Sequence, residues 1–256
     1  MSTVPSARTA APYLGSLLGS SLIDLLLRHR LVDDLLQAPR MAAGLAHLDV
    51  AALVLLYRLC LGLFWGWFLV GLLPGLLRGR CPARRSLRLF GLLATLQFLV
   101  NLVLINVAIV VADVNSYELL LEAIGLYVVI GLIFVFWYWY LDYPLREQAL
   151  ALRPLGGRSS DANPPGAQHA GTQISPIPPG LLFPEEAYEG LAFGTTGWTP
   201  GFIDYLFFAM VASNTFGAPE GHGVLGARLK LAHLVHSLFM TGIFIVIVAR
   251  AINTLS

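Results

Sequence analysis

The chain has 256 residues, of which 57% are hydrophobic and only 12% charged, with a mean hydropathy of +0.72 and a formal net charge of +1. Charged residues make up about a quarter of an ordinary soluble domain, so the long uncharged runs in this chain point to a membrane protein rather than a soluble core. The small net charge offers no field for nucleic acid or an acidic substrate. Cys60 and Cys81 supply neither a metal-binding spacing nor a disulfide framework.

Residues 1–11 read as a loose end and 12–37 as a helix of mixed character, together forming an N-terminal region over 1–48. Leu14, Leu17, Leu18, Leu22, Leu25 and Leu26 make an apolar stripe, while Asp24 with Arg28 and Arg30 with Asp34 are i, i+4 pairs. This predicts an amphipathic helix lying at the interface or in the cytoplasm, or else a helix packed on the rest of the protein. Because Asp24 and Arg28 interrupt the only early apolar stretch, no secretory signal is read there.

Residues 49–143 read as three spans, at 58–77, 89–111 and 119–141, with 48–57 as an interfacial lead-in. Trp65 and Trp67 fall near the middle of the first, where indoles pack on other helices. Arg78, Arg80, Arg84, Arg85 and Arg88 make a basic loop after it. In the second span Gln97 and Asn101 share a face, with Asn106 further along; amides in lipid need partners on neighbouring helices, and a permeation lining is the alternative. A polar turn at 113–117 leads to the third span, which has Glu118 and Glu122 near its start. The aromatic run Phe134, Phe136, Trp137, Tyr138, Trp139, Tyr140 and Tyr143 reads as an interfacial girdle.

Residues 144–182 are too rich in Pro, Gly and polar residues to form a core and read as a flexible linker. Glu185, Glu186 and Glu189 follow, as an acidic vestibule or a solvated face. In the last region, 183–256, an apolar run at 202–212 opens with Pro200 and Asp204, which suit a helix start. Its 11 or so residues would extend about 16 Å, half the hydrocarbon thickness of a bilayer. The run stops at Ser213, Asn214, Thr215, Phe216 and Gly217, and a final span is predicted at 229–251. Lys230, His233, Ser237 and Thr241 share one stripe of that span. His233 and His236 have HxxH spacing, but no further ligand type stands nearby, so no metal is expected.

A half-helix, a polar glycine-terminated turn and a spanning helix resemble the pore module of tetrameric potassium-type channels. Residues 183–253 are also similar to a group of uncharacterised bacterial membrane proteins, through Gly197-Trp198-Thr199-Pro200-Gly201-Phe202-Ile203-Asp204-Tyr205 and Ala249-Arg250-Ala251-Ile252-Asn253. The channel resemblance implies an all-α fold of four transmembrane helices plus a re-entrant pore helix. It further implies a homotetramer in the bilayer of a cell membrane, such as a bacterial inner membrane, passing monovalent cations. Ser213, Asn214, Thr215, Phe216 and Gly217 would form the filter, Glu220 and His222 the pore mouth, and Lys230, His233, Ser237 and Thr241 the pore-lining face. The family's filter presents backbone carbonyls to the ion. Thr215 stands where that filter has a glycine, and a β-branched residue at φ > 0 is an outlier, which implies a wider filter with weak discrimination. Alternatives are a secondary transporter with a broken-helix site and a non-conducting scaffold; no enzymatic motif, cofactor or nucleic-acid partner is read. Channel analogy places the pore loop outside, whereas the positive-inside tendency places the basic loop, Arg146, Arg153, Arg158, Arg228 and Lys230 in the cytoplasm.

Overall fold

A computed structural model describes residues 6–37, 50–80, 82–111, 116–152, 180–187, 198–215 and 217–255. Among the described residues about 85% are helical. Its elements are α1 (Ala7–Gln37), α2 (Val50–Trp67) continuing through a π-helical turn (Phe68–Leu72) into α3 (Leu73–Leu77), α4 (Arg84–Val111), α5 (Ser116–Leu152), β1 (Leu181–Leu182), α6 (Pro184–Ala187), α7 (Phe202–Thr215), β2 (Gly223–Val224) and α8 (Ala227–Leu255). Among the described residues four stretches are long and apolar enough to cross a membrane: Ala7–His29, Ala51–Leu77, Arg84–Val107 and Leu121–Gln148. The protein is therefore read as a multi-pass integral membrane protein.

This set includes α1, which the sequence places at an interface or against the protein. Ser6 caps its first turn, accepting the Thr9 N–H at 3.1 Å. Its polar stripe turns inward: Ser16, Ser20, Ser21, Asp24 and Arg28 are all buried. α1 runs antiparallel to α5, from Tyr13 stacked on Trp139 (centroids 4.4 Å apart) to Arg28 paired with Glu122. α4 is also antiparallel to α5, from Phe136 at Gly91 onward, and meets α1 through the amides of Gln97 and Asn101 on Asp24. The interhelical role read for those two amides is what the structure has; Asn106 instead donates to Leu102 O of its own helix at 2.6 Å. α2 packs on α4 through Phe64 stacked on Phe90 and the Trp67 indole donating to Ser86 O at 3.3 Å. α3 ends at Gly79, whose φ of 67° and the Arg80 N–H bond to Gly75 O form a Schellman stop.

Several sequence expectations change here. α5 does not stop near 141 but continues past Pro144 to Leu152, so the start of the expected linker is helix. The aromatic run is not a lipid-facing girdle throughout: Phe134, Phe136, Tyr138 and Trp139 are buried against α1, α4, α7 and α8. α8, at 29 residues, has the length of a span, yet its described part carries Arg228, Lys230, His233 and His236 and is not one of the four stretches above. The Arg30–Asp34 pair, Cys81, the turn at 113–115, residues 153–179, Glu189 and Phe216 lie outside what the structure describes.

Candidate functional site

α7 is a 14-residue helix, about 21 Å long and too short to span. Asp204 accepts the Gly201 N–H at 2.7 Å, one half of a capping box. The helix lies antiparallel to α5. Tyr205 Oη donates to Asp142 Oδ2 at 2.6 Å, Phe208 meets the Tyr138 ring edge-on at 4.9 Å, and Tyr127 Oη donates to Asn214 Oδ1 at 2.9 Å. Gly131 makes room for Met210 between them; a Cβ there would come within 2.7 Å of the Met210 methyl.

The chain then comes back along α7. Pro219–His222 forms a turn closed by the His222 N–H on Pro219 O at 3.0 Å, with Gly221 at φ 78°; a type II turn needs glycine at that third position. The His222 ring sits among Phe183, Phe207 and Phe208, with centroids 5.4 to 5.9 Å apart. β2 pairs antiparallel with β1, and Leu225 N–H donates to Gly180 O at 2.9 Å. α8 sets off again beside α7, so that His233 faces Phe208 and His236 faces Ser213. Helix, return and helix therefore start from one end of the bundle, the end that also holds the start of α1 and the Arg84 guanidinium over the Tyr140 ring.

A hydrogen-bond chain joins the three helices. Ser213 Oγ donates to Ala209 O at 2.8 Å, so it accepts from His236 Nε2–H at 2.9 Å. His236 Nδ1 is then an acceptor, and Tyr138 Oη donates to it at 2.9 Å. The Tyr138 oxygen in turn accepts from His233 Nδ1–H at 3.1 Å. Phe134 stacks on the His236 ring at 4.1 Å and 7°. With His236 neutral, each link follows from the one before it, because the carbonyl at the end can only accept.

At the same end of the bundle as the α7 start, a second cluster fixes the module to α5. Asp142 accepts from Leu181 N–H at 2.7 Å, from Tyr205 and from Arg146; Arg146 also donates to Glu186 and to Leu181 O, and its guanidinium lies 5.2 Å from the Phe183 ring centroid. Glu186 is thus a clamp residue rather than a free vestibule charge, while Glu185 is exposed.

The expected filter is not an extended segment. Ser213, Asn214 and Thr215 are the last turn of α7, and Ser213 is buried with its hydroxyl committed at both ends. The Thr215 hydroxyl oxygen stands 3.0 Å from both Val211 O and Gly217 O, which share its single proton. Among the described residues the glycines with positive φ are Gly79, Gly221 and Gly226, and Ser213 to Thr215 have helical backbone in place of the shape inferred by analogy. Asn214 and Thr215 are exposed, as are Glu220, Lys230 and Thr241; Gly217, His222, His233 and Ser237 are half-buried. The expected α8 stripe therefore splits: His233 turns toward α5, and Thr241 donates to Ser237 O at 2.8 Å. Leu231, Leu234, Leu238, Phe244 and Ile245 form an exposed apolar face. Sequence reasoning missed Tyr127, Tyr138, Asp142, Arg146 and Tyr205 as site residues; the i, i+4 spacing of Asp142 and Arg146 was the available signal. Comparison with known protein families, curated proteins and solved structures finds no match.

Proposed function

We propose that the protein is a cation channel in which α7 is a re-entrant pore helix and several copies, four by the channel analogy, surround one axis. The observation that carries this reading is the helix–return–helix path of residues 202–245, with a polar helix end left exposed inside the bundle. Asn214 pairs with Tyr127, six residues into the span Leu121–Gln148. Exposed Asn and Thr side chains at such depth are poorly tolerated by lipid and call for a protein or water neighbour. The C-terminal end of α7 also carries the negative end of a helix dipole, which favours a cation. Ions would meet helix-end carbonyls with the Asn214 and Thr215 side chains rather than a fully extended filter, which supports weak discrimination among monovalent cations. One short helix per chain cannot enclose a pore, so self-association is part of the proposal. Arg78, Arg80, Arg84, Arg85, Arg88, Arg228 and Lys230 gather at the end where α7 starts, and by the positive-inside tendency that end faces the cytoplasm. The chain would then enter its pore from inside.

A secondary transporter is the second reading, favoured by the His233–Tyr138–His236–Ser213 chain, which lies within one protomer rather than on a shared axis. Oxidative crosslinking separates the two. With Cys60 and Cys81 replaced by serine, Asn214→Cys and Thr215→Cys should form intersubunit disulfides in membranes. A protein that stays monomeric, with both cysteines uncrosslinked, contradicts the channel reading.

A further inference from the structure

α1, α4 and α5 line a second polar region, a half-open pocket that the pore reading does not use. It is a cavity of about 10 Å³, room for one water molecule or one small bare cation, whose polar lining is Ser20, Ser21, Asp24, Gln97 and Asn101. Asp24 is 2% exposed and Asn101 0%. Asp24 Oδ2 accepts from Gln97 Nε2 at 2.9 Å and from Asn101 Nδ2. Those bonds turn the second oxygen of each group elsewhere: Asp24 Oδ1 and Asn101 Oδ1 are both buried and have no hydrogen-bond partner. Orphaned buried oxygens cost free energy unless something positive meets them.

The charges point the same way. Asp24 and Glu122 bring two negative charges to this part of the bundle, and Arg28 brings one positive. The Arg28 guanidinium contacts Glu122, its Nε stands 3.7 Å from Asp24 Oδ1, and it does not line the cavity. Among these described residues the negative charges outnumber the positive by one, away from bulk water. The polar residues of the lining offer carboxylate, amide and hydroxyl oxygens, and no described cluster of three His, Cys, Asp or Glu exists to hold a divalent metal. Hard oxygen ligands with a single charge to neutralise suit an alkali cation.

We propose that this cavity binds one monovalent alkali cation, with sodium fitting its small volume better than potassium, held by Asp24 Oδ1 and Asn101 Oδ1 with the Ser20 and Ser21 hydroxyl oxygens. The site belongs to each protomer and stands whether or not the protein conducts. It locks three helices together and makes the bundle's stability depend on the cation present.

The test is thermal unfolding of the purified full chain, followed by tryptophan fluorescence, in sodium, potassium or N-methylglucamine chloride at equal ionic strength. A ligand that binds only the folded state raises Tm in a saturable way. The expected result is a rise on the order of 5 °C in sodium, less in potassium, and none in N-methylglucamine. Asp24→Asn should abolish the sodium dependence and Asn101→Ala should weaken it, while Asp204→Asn, outside the cavity, should keep it. If Asp24→Asn does not fold, the wild-type salt series still decides. Equal Tm in all three salts, or a sodium shift that survives Asp24→Asn, overturns the proposal and leaves the cavity to a water molecule or a proton.

Discussion

Among the described residues two aspartate–arginine pairs spaced four apart are buried in this bundle, and only one of them is complete. At Asp142 and Arg146, both carboxylate oxygens have donors and the guanidinium has Glu186 and a carbonyl besides. At Asp24 and Arg28, one carboxylate oxygen has no hydrogen bond. The difference comes from backbone supply. Asp24 sits among three helices whose N–H groups are already spent on their own carbonyls. Asp142 faces β1, whose Leu181 offers a free N–H to Asp142 and a free C=O to Arg146. A cluster that recruits irregular backbone closes on itself and serves as a clamp. A cluster built from helix side chains alone leaves an acceptor open, which is where a ligand is to be sought.

Breaking the clamp should have the largest effect. Arg146→Ala or Asp142→Ala strands a buried charge and should cost about 3–5 kcal/mol, read as loss of thermal stability, with faster hydrogen exchange at 180–187 and along α7. Asp24→Ala should cost less, about 1–3 kcal/mol, because Arg28 keeps Glu122. Equal costs would show the two clusters to be alike, and a reversed order would contradict the comparison. Next is Gly91, where a Cβ would run into Phe136, an aromatic ring packed in the core: Gly91→Ala should lose about 1–3 kcal/mol. At Gly125 the obstacle is the Leu27 methyl at the end of a flexible side chain, so Gly125→Ala should lose clearly less in the same assay. Smallest is Ser21→Ala, which removes the hydroxyl's contacts with the Gln97 amide and should cost about 0.6 kcal/mol.

Hydropathy placed α2, α4 and α5 because long apolar runs have few other uses, and the pairing of Gln97 and Asn101 followed from the cost of amides in lipid. Two kinds of information were not local. Asp24, Arg28, His29 and Asp33 made α1 look too polar to be a span, because a sequence does not reveal that Glu122, Gln97 and Asn101 would meet Asp24 and Arg28. Pro144 and the polar tract after it made α5 look finished, yet the clamp with β1 and α6 carries the helix on to Leu152. The site was legible as a half-helix with a return. Its fine geometry was not, since Ser213 is committed to His236, 23 residues later in the chain, a contact that no local pattern announces.

The most direct test of the channel reading is current through the purified protein reconstituted in planar bilayers under bi-ionic potassium and sodium. The account predicts cation current with a reversal potential near zero, reduced when Thr215→Cys is modified by a water-soluble thiol reagent in the Cys60→Ser, Cys81→Ser background. Folded, reconstituted protein that passes no current above the protein-free bilayer would contradict it.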